Sequence, residues 1–151
     1  MGQPLRHSLR VRYAECDIQG QVFNAHYLTY FDQSMTELWR AAFGGYTKML
    51  ERGIDLVVVH AEVDFHAGAR FDRELTLEVG VARLGRTSMI TRHRIVDGST
   101  RLATGELCHV FVDSRNLAKI PIPRWAREAL APWVLADCQG SREGGSHGRQ
   151  G

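Results

Sequence analysis

The sequence predicts an α+β fold in which one long helix lies against an antiparallel sheet, and three observations carry that expectation. A period-two stretch opens the chain, a single 3.6-period stretch follows it, and several further period-two stretches separated by turn signals run to about residue 113. The length of 151 residues suits one domain. We expect that domain to span 1–137, with 138–151 a disordered tail of Gly, Ser and charged residues without an apolar anchor.

Leu9, Val11 and Tyr13 alternate with Arg10, Arg12 and Ala14, the signature of a strand with one buried face. A loop from Glu15 to Phe23 follows. From Asn24 the period changes: Tyr27, Leu28, Phe31, Met35, Leu38, Trp39 and Ala42 fall on one helical stripe, and Gly44-Gly45 supplies the stop. Asn24 is a favoured N-cap residue, whose side-chain oxygen can accept from a free N–H of the first turn. Tyr46 to Gly53 is less regular. Val57, Val59, Ala61, Val63 and Phe65 then mark a long strand, and Leu75, Leu77, Val79 and Val81 another.

Gly85-Arg86 offers a turn, Thr87 to Val96 returns, and Asp97-Gly98 is a strong hairpin signal. Leu102 to Asp113 is apolar on both phases, as a doubly covered central strand would be. Pro121 and Pro123 end the sheet pattern, and Arg124 to Val134 reads as a short closing helix. One helix cannot cover so long a sheet, so self-association through strands or the second face is expected.

Lys plus Arg number 19 against 17 Asp plus Glu, and a net charge of +2 gives no general case for nucleic acid or an acidic partner. Cys16, Cys108 and Cys138 form no C-x-x-C pair, which fits a reducing cytoplasm. Met1 to Ser8 lacks the apolar core of a secretory signal, and the ~20-residue apolar run of a membrane helix is missing. A cytoplasmic location is the expectation.

The stretch Asp17-Ile18-Gln19-Gly20-Gln21-Val22-Phe23-Asn24-Ala25-His26-Tyr27 holds most of the chemistry. It sets an acidic side chain one tight turn before a helix start, where free amides stabilise negative charge. A carboxylate base or nucleophile and an oxyanion site are two halves of an acyl-transfer centre. Asp17 reads equally well as an Asx-type turn residue before Gly20, and the residues alone leave both readings open. Glu15 reads as a solvated charge and Cys16 as a small buried residue. His60, His66, His93 and His109 show no metal-ligand spacing, and no dinucleotide or phosphate-loop glycine fingerprint is present.

The pattern Asp17-x-x-Gly20-x-Val22-x-Asn24-x-x-Tyr27-Leu28-x-Tyr30-Phe31-Asp32, with Val63-Asp64-Phe65-His66-Ala67 and Phe71-Asp72-x-Glu74-Leu75, resembles the hotdog-fold acyl-CoA thioesterases of the 4-hydroxybenzoyl-CoA thioesterase type. The likeness runs from about Leu9 to about Leu130. It implies a five-stranded antiparallel sheet wrapped around one long helix, and a homodimer or homotetramer with active sites between subunits. It also implies hydrolysis of an acyl-CoA to free acid and CoA, with no metal and no cofactor beyond the CoA of the substrate. Asp17 would then attack the thioester or activate water, and the backbone N–H at Asn24 would hold the carbonyl oxygen. Gly20, Val22, Ala25, His26 and Tyr27 would shape the pocket.

Two departures stand out. Gly68 replaces a Pro of many relatives, which we expect to alter loop flexibility and not chemistry, and Gln21 replaces a His, whose role is therefore not filled by that side chain. Arg86, Thr87 and Ser88 combine a guanidinium and two hydroxyls at a flexible turn and are candidate contacts for the carrier phosphates. Release from an acyl carrier protein, and non-catalytic acyl-CoA binding on the same fold, are the alternatives.

Overall fold

The computed structural model describes residues 2–136, so the expected boundary at 137 and the tail at 138–151 lie outside the described residues. Strands β1 (Leu5–Arg10), β2 (Ile54–Phe65), β3 (Glu74–Leu84), β4 (Ser88–Asp97) and β5 (Thr100–Asp113) build one antiparallel sheet in the order β1-β3-β4-β5-β2. Helix α1 (His26–Phe43) lies along its inner face, and α2 (Tyr46–Glu51) and α3 (Arg124–Leu130) close the end where α1 stops. This is the expected hotdog architecture.

The long helix forms because Tyr27, Tyr30, Phe31, Met35, Leu38 and Trp39 recur at helical spacing and all are buried. Gly44 ends it in the left-handed region at φ 81°, a conformation that costs a side-chain-bearing residue, with the Gly44 and Gly45 N–H groups donating to Arg40 and Trp39 carbonyls. Opposite, Leu75, Leu77, Val79 and Val81 of β3, Met89 and Ile95 of β4, and Leu107 and Phe111 of β5 are buried beneath it. Gly105 of β5 leaves room for the Phe31 ring of the helix. A Cβ there would lie 2.6 Å from the Phe31 ring and closer still to the Glu62 carbonyl.

A polar seam runs through this core. The Thr91 hydroxyl contacts Nε2 of both His93 (2.8 Å) and His109 (3.0 Å), donating to one ring and accepting from the other. His93 stacks on Phe31 and its Nδ1 has no hydrogen-bond partner among the described residues. Burial holds both imidazoles neutral, lowering His93 to about 3, where its His109 and His7 neighbours add to the effect, and His109 to about 4.

Several expectations change. The first strand begins at Leu5, not Leu9, and Tyr13 lies beyond it in a 3₁₀ turn, 81% exposed. Residues 46–51 are helical, and the hairpin turns on Gly98 and Ser99 after Asp97 has paired with Thr100. On the outer face of β5, Val112 is buried but Cys108 and Val110 are only half-buried, so the strand is central but covered on that face only in part. β2 is an edge strand, and Val57, Val58, Val59 and Phe65 are 41–58% exposed on both of its phases.

Candidate active site

The chain leaves β1 at Arg10 and must turn sharply to reach α1, and Glu15 fixes that turn. Its carboxylate accepts from the Arg12 N–H (2.8 Å) and the Tyr30 hydroxyl (3.0 Å), and pairs with the Arg12 guanidinium at 3.3 Å. Burial works to raise its pKa, but these hydrogen bonds outweigh it and hold the carboxyl below its ordinary range. Glu15 is thus 3% exposed, not the solvated charge expected, because it clamps the loop to the helix. Cys16 is half-buried, and burial raises its thiol.

Two residues on, Asp17 opens a tight turn closed by Gly20, which adopts φ 74°. The Asp17 N–H donates to the Gln21 carbonyl (2.8 Å), and its carboxylate Oδ1 accepts from the N–H groups of Gln19 (2.8 Å) and Gln21 (3.4 Å). The Asx turn is real, and it leaves Oδ2 without a partner among the described residues. The turn occupies one of the two carboxylate oxygens, and the Asp17 side chain is exposed.

The expected N-cap is corrected. The helix begins at His26 with Ala25 in the cap position, Asn24 precedes it in a turn, and no cap side chain accepts a hydrogen bond. The turn is closed instead by the His26 N–H on the Phe23 carbonyl (2.9 Å) and the Tyr27 N–H on the Asn24 carbonyl (3.2 Å). The N–H groups of Asn24 and Ala25 donate no hydrogen bond among the described residues. These are the free donors of the helix start.

Asp17 and Asn24 line one cleft of about 410 Å³, together with Gln21, Val22, Tyr27, and Phe65 to Gly68 from the end of β2. Tyr27 is buried, its hydroxyl accepting from the Ala69 N–H (3.2 Å), so it pins the 67–69 segment to the helix start. Val22 is likewise buried and its N–H donates to the Ala69 carbonyl. Ala25 is exposed at the helix start, and His26 packs edge-on against Phe23; neither lines this cleft. Gly20 borders a second cleft of about 380 Å³ on the other side of Asp17, with Tyr13, Ile18 and Phe71. A larger cavity of about 510 Å³ lies between α1, α2 and β2.

Arg86, Thr87 and Ser88 are not brought to the Asp17 cleft within one protomer. Their turn is tied down elsewhere, with the Thr87 carbonyl accepting from Phe111 N–H and the Arg86 carbonyl from Ile122 N–H. Along β5, Ser88 pairs with Val110 while Phe65 pairs with Ala103. At ~3.3 Å per residue that separates the two regions by roughly 23 Å.

Sequence reading did not assign Gln21, Phe65, His66 or Gly68 to the site. They reach it through strand pairing: the isolated Gln21–Arg70 bridge draws the 66–70 segment across the Asp17 turn. No local period encodes that contact. The two departures from the family pattern also meet here, since a Cβ on Gly68 would lie 2.6 Å from the Gln21 side-chain carbon Cδ. Gly68 thus does more than loosen a loop. Among the described residues, no group of three His, Cys, Asp or Glu side chains is placed to hold a metal ion, and no helix is long and apolar enough to cross a membrane.

The model of the thioesterase superfamily matches residues 19–104, a segment that starts two positions after Asp17. The acyl-CoA thioester hydrolase YbgC of Escherichia coli O6:H1 is 27% identical over 120 residues, covering 79% of this chain and 90% of its own. The 1,4-dihydroxy-2-naphthoyl-CoA hydrolase of Synechococcus elongatus is 26% identical over 127 residues, covering 82% and 90%. A hypothetical protein of Aquifex aeolicus superimposes with a TM-score of 0.79 at 24% identity, over 84% of this chain and 99% of its own, which speaks to the fold.

Proposed function

The chain belongs to the thioesterase superfamily and is a thioester hydrolase, and we propose on that basis that it cleaves an acyl-CoA to the free acid and CoA, with Asp17 as the reacting carboxylate. The observation that carries the reading is the shared cleft: Asp17, whose Oδ2 bonds no described residue, and Asn24, whose N–H donates to none, line the same space. Negative charge developing on the thioester oxygen is met there by a backbone dipole that needs no reorganisation. The carboxylate on the other side removes a proton from water or adds to the carbonyl itself.

A homodimer completes the reading. β2 presents twelve residues with an unpaired edge and exposed valines, and strand addition by a second copy covers both. Phe65 and His66 of the cleft lie at the end of that edge, so the partner subunit would wall the site. The reading does not use Arg86, Thr87 and Ser88, whose turn lies at the far end of β5.

Turnover of aromatic, short-chain and long-chain acyl-CoAs, run beside Asp17→Asn, tests the assignment. The variant should fold and lose ~10²–10⁴-fold in kcat, the span of a positioned acid or base. Near wild-type turnover by Asp17→Asn, or an inactive wild type across the panel, overturns it.

A further inference from the structure

Gln21 sits in the Asp17 cleft with a carboxamide that makes no hydrogen bond to any described residue, while its backbone is bound to Asp17 twice over. A part-buried amide that can both donate and accept, in the same cleft as a carboxylate, can share a molecule held in that cleft with it. The side chain lies across Gly68, and the absence of a Cβ there is what admits it: a methyl at position 68 would stand 2.6 Å from Gln21 Cδ and 3.0 Å from Nε2. Gly68 has no positive φ that would demand glycine, so backbone conformation does not explain the residue. The space does.

Resting on the thioesterase reading, we propose that Gln21 is a positioning residue that holds the attacking water for Asp17, with Gly68 as the vacancy that lets it do so. In this arrangement the water gives one O–H to the Gln21 carboxamide oxygen and the other to Asp17 Oδ2, which turns its lone pair toward the thioester carbon. As the C–O bond forms, Asp17 takes the proton and the carbonyl π pair moves onto oxygen under the helix-start N–H. Collapse re-forms the carbonyl and breaks the C–S bond, and the departing thiolate takes the proton from Asp17. One water and one thioester give one carboxylic acid and one thiol. Asp17 is then a general base, not a nucleophile, because a water held between two side chains occupies the approach to the carbon.

The inference has a signature that packing alone would not produce. Gln21→Ala removes the carboxamide, Gly68→Ala pushes it aside, and Gln21→Met keeps the bulk over Gly68 while deleting the hydrogen bonds. Each should lower kcat by ~10²-fold, the scale of a misplaced reacting group, with KM within about twofold and unaltered thermal melting. The double variant Gln21→Ala/Gly68→Ala should be no slower than either single one, since the second change acts only through the group the first removed. Wild-type turnover in Gln21→Met, additive losses in the double variant, or losses confined to KM would each overturn the role. An inactive wild type would take down the thioesterase reading and this inference together, whereas an active wild type indifferent to Gln21 takes down only the inference.

Discussion

Acid should destabilise this protein well before its carboxylates protonate, and the cause is the histidine pair under α1. His93 and His109 are 1% and 2% exposed, and burial lowers them to about 3 and about 4 from an ordinary 6.5. A histidine held neutral in the fold binds fewer protons than it does unfolded, so stability falls as pH drops below the unfolded value and keeps falling until the folded value is reached. Each pH unit in that window is worth about 1.4 kcal/mol per group. Between pH 7 and pH 5 the unfolded rings pass from mostly neutral to mostly charged while the folded ones stay neutral, which removes roughly 2 kcal/mol each and ~3–4 kcal/mol for the pair. Against a typical total of ~5–15 kcal/mol that is a large share. Urea midpoints at pH 7, 6 and 5, at fixed protein concentration, measure it. His7, also lowered by burial, acts in the same direction, and the Glu15 carboxyl contributes only at lower pH. His93→Gln/His109→Gln should start less stable and lose most of the slope. A wild type flat from pH 7 to pH 5, or an unchanged slope in the double variant, would refute the reasoning.

The site and fold give three further outcomes. Asn24→Ala should keep activity within about threefold and stability within ~0.5 kcal/mol, because the Asn24 side chain makes no hydrogen bond among the described residues and the oxyanion donor we propose is its backbone N–H; a loss of ~10²-fold would assign the side chain instead. Glu15→Gln should cost ~2 kcal/mol by urea unfolding, since it weakens charge-assisted bonds from Arg12 and Tyr30 at a buried site. Its native contribution is present above the ordinary carboxylate range and is lost as pH falls through the lowered folded value, so the gap from wild type should shrink in acid; a constant gap would count against it. Gly105→Ala should cost ~1–3 kcal/mol, read as a lowered urea midpoint, because Phe31 and the Glu62 carbonyl already occupy the space of a methyl; an unshifted midpoint would show that the helix can retreat.

How far the fold was legible depends on where each element buries its side chains. β3 and α1 were readable because each turns one face inward and the period shows directly, as with Leu75, Leu77, Val79 and Val81. β2 was placed correctly from Val57 to Phe65, but its alternation suggested a buried face that the protomer does not provide. That mismatch is itself informative, since an apolar strand pattern without cover is what an interface strand would show. Glu15 failed for the opposite reason: a charge is read as solvated unless its partners are known, and Tyr30 lies a helix turn into the next element.

The site divides along the same line. The turn of Asp17 and Gly20 was legible because it is built from near neighbours, where spacing alone sets the geometry, whereas Asn24, expected as the cap, lies in the turn before the helix. Gln21 and Gly68 were seen only as two separate oddities, one in a turn and one beyond a strand. Their contact is decided by which strand end meets which loop, a tertiary fact fixed by the pairing of Gln21 with Arg70 and of Phe65 with Ala103. Once the contact exists the two substitutions cease to be independent: a larger residue at 68 displaces the end of the Gln21 side chain from the place it takes over Gly68. A turn built from neighbours in the chain can therefore be read from the sequence, while the residue we propose to aim the water is visible only after the sheet has closed on it.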